Sequence, residues 1–109
     1  MHCLGLMSGT SADGVDAVLA CFDGPSQRPQ WSLLQHHHQP YPLQLQQQVV
    51  AAGQGEPMPA AVWLELAEAI TEVQADAARA CDPDAQAELI GCHGQTVWHR
   101  PPAQGAAGA

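Results

Sequence analysis

The spacing of apolar and polar positions divides the chain into short strands, then helices, then one more strand. Cys3 to Met7 form a short apolar run that ends at Ser8-Gly9-Thr10-Ser11-Ala12-Asp13-Gly14, a stretch dense in turn formers, which predicts a strand feeding a tight loop. From Val15 a second strand is predicted, with Val15, Ala17, Leu19 and Cys21 on one face and Asp16, Val18, Ala20 and Phe22 on the other. The second face is mostly apolar as well, so cover on both sides is expected. Gly24-Pro25-Ser26 turns the chain, and Trp31 to His38 reads as a third strand, antiparallel to the second. Pro42 to Ala52 reads as a helix with Leu45, Val49 and Val50 apolar and a glutamine-rich outer face, stopped by Gly53-Gln54-Gly55. A stronger helix is predicted from Pro59 to Cys81, where Val62, Leu66, Ala69, Ile70, Val73, Ala77 and Ala80 recur three or four residues apart. Asp82-Pro83 ends it, because the residue before proline is pushed out of the helical region. Leu89 to Cys92 is a short buried strand that delivers His93-Gly94-Gln95-Thr96 at its carboxyl end, where open α/β folds bind their ligands. The expected fold class is therefore α/β, in the order βββα(α)β over residues 1–100. Residues 101–109 carry no apolar periodicity and are expected to be an unstructured tail or a truncation point.

Composition narrows the chemistry. With 109 residues and 46% hydrophobic content, the chain has material for one small core and not for a two-lobed enzyme. The net charge of −8 argues against nucleic acid or an anionic membrane as partner, since the cations are Arg28, Arg79 and Arg100 alone. Lysine is absent, which removes the Walker-type phosphate loop, the protein-kinase nucleotide site and Schiff-base chemistry. No apolar run approaches the roughly 20 residues that cross a bilayer, and no secretory leader precedes the first strand, so a cytoplasmic protein is expected.

Two segments concentrate chemistry. In Gly9-Thr10-Ser11-Ala12-Asp13-Gly14-Val15-Asp16, two glycines allow a close backbone approach, and successive amides in a tight turn make a concave anion site. Thr10 and Ser11 add hydroxyl donors. Asp13 and Asp16 would repel a polyphosphate unless Mg²⁺ lay between, held by a carboxylate directly or through water. The same residues also suit a plain hairpin, since Asp-Gly between apolar runs is the commonest short hairpin signal. In Gly91-Cys92-His93-Gly94-Gln95-Thr96-Val97-Trp98-His99-Arg100-Pro101, hydrogen-bonding side chains and an aromatic face follow a strand, which suits a polyhydroxylated ligand such as a sugar. Equally, His93 could serve a hydrogen-bonded structural role and Trp98 belong to the core.

The cysteines Cys3, Cys21, Cys81 and Cys92 form no C-x-x-C pair and are expected to be reduced and mostly buried. Cys92-His93 with Cys3 or His99 offers zinc donors at a spacing that fits no closed structural site. His36-His37-His38 alternates faces on a strand and reads as a solvated edge. A Cys-His nucleophilic pair lacks an orienting third group.

Together, Leu4 to Asp16 and Gly91 to Pro101 resemble the anhydro-N-acetylmuramic acid kinases of bacterial cell-wall recycling, with Ala12 standing where methionine is usual. The resemblance implies membership of the acetate and sugar kinase, heat-shock protein and actin superfamily, with two lobes on a ribonuclease-H-like core. This chain would be an incomplete first lobe of that actin-like ATPase fold. The implied activity is ATP-dependent: water opens the 1,6-anhydro ring while the 6-hydroxyl takes the γ-phosphoryl group, giving N-acetylmuramic acid 6-phosphate. By the same resemblance, Gly9, Thr10, Ser11, Ala12, Asp13, Gly14, Val15 and Asp16 would contact ATP phosphates, Asp13 would stand near Mg²⁺, and His93, Gly94, Gln95 and Thr96 would line the sugar. The water-activating aspartate, the second phosphate loop and the adenosine pocket are expected beyond Ala109, and the full-length protein is expected to be a dimer. The competing expectations are a non-catalytic binding module that keeps the fold, and a zinc module.

Overall fold

The computed structural model describes residues 1–9 and 11–98; Thr10, His99, Arg100 and the segment 101–109 lie outside the described residues. The elements run β1 (His2–Ser8), β2 (Gly14–Asp23), β3 (Gln30–Pro40), α1 (Leu43–Gly53), α2 (Ala60–Cys81) and β4 (Leu89–Gln95), which is the expected α/β order. They build one sheet in the order β3-β2-β1-β4. The first three strands pair antiparallel, as tight turns permit, and β4 pairs parallel with β1 after the helical crossover.

Alternation decides which side chains meet the helices. Leu4 and Leu6 of β1 and Val15, Ala17 and Leu19 of β2 are buried on one face, and in-register pairs such as Leu4 with Leu19 hold them side by side. Leu66, Val73, Ala77 and Cys81 of α2 and Leu45, Val49 and Ala52 of α1 close over that face. The α2 stripe ends on Cys81 and not on Ala80, which is exposed, because four-residue steps from Val73 fall on 77 and 81. Val50 likewise stands outside the core.

The opposite sheet face corrects the expectation that β2 is covered on both sides. Both helices pack on one face, and among the described residues the other presents Met7, Val18, Phe22, Trp31, Leu33 and Leu89 to solvent. An apolar groove runs across it between Phe22, Trp31 and Leu89. The cysteines also depart from expectation: Cys81 is buried, Cys3 and Cys21 are half-buried and Cys92 is exposed. Burial pushes the Cys81 thiol above its ordinary pKa.

Candidate functional site

Because β1 and β4 run parallel, their carboxyl ends lie side by side, and the two segments singled out in the sequence meet there. The pairing passes from Leu6 with Cys92 to Ser8 with Gln95, so β4 carries one extra residue, a bulge. Gly94 sits in that bulge with φ +78, a conformation open to glycine and strained for other residues. Without the extra residue, strict alternation would send Gln95 to the open face. With it, Gln95 turns to the helical side and joins Ser8 and Tyr41.

A continuous set of hydrogen bonds follows. Tyr41 Oη donates to Gln95 Oε1 at 2.9 Å and lies 3.1 Å from Ser8 Oγ. Gln95 Nε2 donates to the carbonyls of Gly9 at 3.1 Å and Thr96 at 2.9 Å. The strand end is thereby tied directly to the glycine loop. Burial raises the pKa of the Tyr41 phenol, with the Ser8 hydrogen bond opposing, so Tyr41 remains a protonated donor. Sequence reasoning missed Tyr41; the signal available was the chain's one tyrosine, set between Pro40 and Pro42.

The loop itself divides into exposed and packed parts. Gly9, Ser11 and Asp13 are exposed, and Ser11 Oγ donates to Asp13 Oδ1 at 3.2 Å. The Ala12 amide closes the turn onto Gly9 O at 3.1 Å, and Ala12, in the left-handed region at φ +55, is wholly buried. Tyr41 N–H donates to Asp13 O at 3.1 Å, anchoring the loop to the end of β3. The close approach that Gly14 permits is to β3, since a Cβ there would lie 2.4 Å from Gln39 O. The Val15 side chain is in the core.

The structure therefore brings Gly9, Ser11, Asp13, Gln95 and Thr96 to one end of the sheet. His93 and Asp16 lie apart from them. Alternation places His93, which follows Cys92 before the bulge, on the open face, where it is exposed. Asp16 also faces that side, with its Oδ1 3.0 Å from His38 Nδ1 and 3.4 Å from His36 Nε2. The His38 hydrogen bond above all holds the Asp16 carboxyl below the ordinary carboxylate range. The sign follows: a depressed folded-state pKa stabilises the fold above the ordinary value and loses that effect as pH falls through the lowered one. The group is exposed, so the stabilisation is at most about 1 kcal/mol. Thermal melts of the wild type and Asp16→Asn should differ slightly at neutral pH and converge in acid; a gap that widens in acid contradicts this account.

The Tyr41 hydroxyl has a larger part. Tyr41→Phe removes the link between Ser8 and Gln95 and deprives the Ser8 hydroxyl, 1% exposed, of a partner. A loss of about 1–2 kcal/mol is expected, read as a lower thermal midpoint; an unchanged midpoint contradicts it.

Among the described residues no three His, Cys, Asp or Glu side chains gather as a metal site. Cys3 and Cys92 pair with residues on opposite sheet faces, which separates two of the zinc donors considered above. Among the described residues at this end of the sheet, Asp13 presents an exposed carboxylate that accepts a hydrogen bond from Ser11 Oγ. No helix among the described residues is long and apolar enough to cross a membrane.

Comparison with known proteins adds to this geometry. A family model described as anhydro-N-acetylmuramic acid kinase matches residues 1–107. Relatives bearing that same name are 86% identical in Synechococcus sp. (strain CC9605), 67% in Synechococcus sp. (strain CC9902) and 63% in Prochlorococcus marinus (strain MIT 9303). Each match takes in all 109 residues of this chain and 29% of the relative, so the chain spans less than a third of the length of these curated relatives.

Proposed function

Because the chain belongs to the anhydro-N-acetylmuramic acid kinase family, we propose that it supplies part of the first lobe of a cytoplasmic kinase. The proposed reaction converts 1,6-anhydro-N-acetylmuramic acid, ATP and water to N-acetylmuramic acid 6-phosphate and ADP. Water adds at the anomeric carbon, the bond from that carbon to the bridging oxygen breaks, and the released 6-oxygen takes the γ-phosphoryl group. The observation that carries this reading is the 3.1 Å hydrogen bond from Gln95 Nε2 to Gly9 O. It supports the reading because it ties the glycine loop, assigned here to the phosphates, to the strand end assigned here to the sugar, and phosphoryl transfer depends chiefly on such positioning.

Each residue has a stated part. Gly9, Ser11 and Asp13 receive the phosphates through main-chain amides and the Ser11 hydroxyl, with Thr10 assigned the same part by its place in the loop. Ala12, Gly14 and Val15 set the loop's shape. Gln95 and Thr96 face the sugar, Gly94 aims Gln95, and His93 borders the sugar from the open face. Mg²⁺, held by Asp13 directly or through water, supplies the positive charge that a lysine-free loop lacks. Asp16 is expected to act through the β2–β3 pairing that seats the loop.

The group that activates water and the adenosine pocket are assigned to sequence outside these 109 residues. The isolated chain should therefore bind Mg-ATP and the anhydro sugar weakly, at millimolar levels by calorimetry, with no detectable turnover. Failure to bind either ligand, or turnover by the chain alone, would count against this reading.

A further inference from the structure

The sheet ends on β3, which pairs with β2 on one side and, among the described residues, with no strand on the other. At 11 residues it is the longest of the four strands, and its outer edge is a long row of main-chain donors and acceptors. Such edges are ordinarily blunted by charged side chains. Gln30–Pro40 contains no Asp, Glu, Lys or Arg, in a chain whose net charge is −8. Trp31, Leu33 and Leu34 are 66%, 54% and 46% exposed along its first half. Leu34 is the extra residue of a bulge, since Leu33 pairs with Ala20 and Gln35 with Leu19. In the second half the histidines already have partners: His36 and His38 are hydrogen-bonded to Asp16, and His37 Nε2 lies 2.9 Å from Gln39 Oε1. The apolar stretch from Trp31 to Leu34 is therefore the part of this edge that suits another strand.

We propose that two copies of this chain join through this stretch, β3 against β3, antiparallel about a two-fold axis near Leu33. The charge pattern selects a second copy as the occupant. Two molecules of net charge −8 repel each other, and a strand without acidic groups is where they approach at least cost. The pairing is also self-complementary, because antiparallel strands of one sequence present the same groups to each other across a two-fold axis. Main-chain pairing together with three large side chains brings on the order of 500 Å² of each copy into contact, about 1,000 Å² in all, the least that specific association needs. A dissociation constant on the order of 10 µM follows. This stretch lies at the opposite end of β3 from the glycine loop, whose Gly14 pairs with Pro40, so the dimer and the kinase reading stand or fall separately.

Sedimentation equilibrium of the 109-residue chain from about 1 to about 200 µM tests this, alongside amide hydrogen exchange at both ends of that range. The wild type should pass from monomer to dimer, and the amides of residues 31–34 should gain protection as the concentration rises. Leu33→Lys sets two like charges opposite each other at the axis and should weaken the dimer at least about ten-fold with an unchanged circular dichroism spectrum. Leu89→Lys, on the same sheet face but on the strand at the other edge, should leave the dimer as it is. A monomer throughout the range overturns the proposal, as do larger aggregates without a dimer. Loss of the dimer in Leu89→Lys, whatever Leu33→Lys does, assigns the association to the open sheet face and overturns it as well. Should Leu33→Lys fail to fold, hydrogen exchange of the wild type decides: protection of residues 31–34 that does not change with concentration overturns the proposal.

Discussion

Replacing Gly14 by alanine should lower the thermal midpoint of the chain by on the order of 10 °C. A Cβ at this position would lie 2.4 Å from Gln39 O, 2.8 Å from Pro40 Cα and 2.9 Å from His38 Cε1. The first two are backbone atoms of the partner strand, and Gly14 pairs directly with Pro40. No rotamer change relieves them, so the β2–β3 ladder must spread at its first rung. Overpacking of this kind costs about 1–3 kcal/mol, and in a domain of this size each kcal/mol moves the midpoint by roughly 4–8 °C. Gly9→Ala is the informative control. Its Cβ would meet only Ser11 Oγ at 3.7 Å, an ordinary contact. The midpoint should hardly move, while Mg-ATP affinity should fall if phosphates approach the Gly9 backbone. Circular dichroism melts and calorimetry separate the two glycines; equal melts for both variants would contradict the assignment of Gly14 to strand packing.

The second large effect is expected at Gly94. With φ +78 and nothing within 4 Å of a Cβ, alanine there meets strain and no clash. The strain is about 1–2 kcal/mol, and β4 can escape it by losing its bulge. That escape returns Gln95 to the open face and breaks its bonds to Tyr41 and Gly9. Gly94→Ala should therefore combine a midpoint lower by on the order of 5–10 °C with a loss of sugar affinity of about ten-fold, or about 1.4 kcal/mol. A variant that melts lower yet binds the sugar as the wild type does would show that the bulge serves the fold alone.

These two glycines also mark where sequence reasoning stops. The strands and helices were legible because alternation in Val15, Ala17 and Leu19, and the stripe of Leu66, Val73 and Ala77, are local consequences of the two backbone periods. The presence of glycine in both motifs was legible too, but not its reason. Gly14 answers to a strand that arrives from Gln39 and Pro40, and Gly94 to the register against β1, both long-range pairings. His93 and Gln95, two residues apart, would share a face in a regular strand. The bulge separates them, which is why the sequence grouped His93 with Gln95 and Thr96 and the structure sets it on the opposite face. Tyr41 escaped notice because its partners Ser8 and Gln95 are 33 and 54 residues away. The open sheet face was misread for a related reason: apolar residues at Val18 and Phe22 signal that cover is suited to them, not that these described residues supply it.

The central claim is that the glycine loop and the end of β4 form one phosphate-proximal site. Paramagnetic relaxation with Mn²⁺-ATP in place of the magnesium complex tests it most directly, because broadening falls off steeply with distance from the ion. The account predicts that the backbone amides of Gly9, Ser11 and Asp13 and the side-chain amide of Gln95 broaden first, while Val18 and Trp31 on the open face stay sharp. Broadening centred on the open face, or a loop that stays sharp while the nucleotide binds elsewhere, would contradict it.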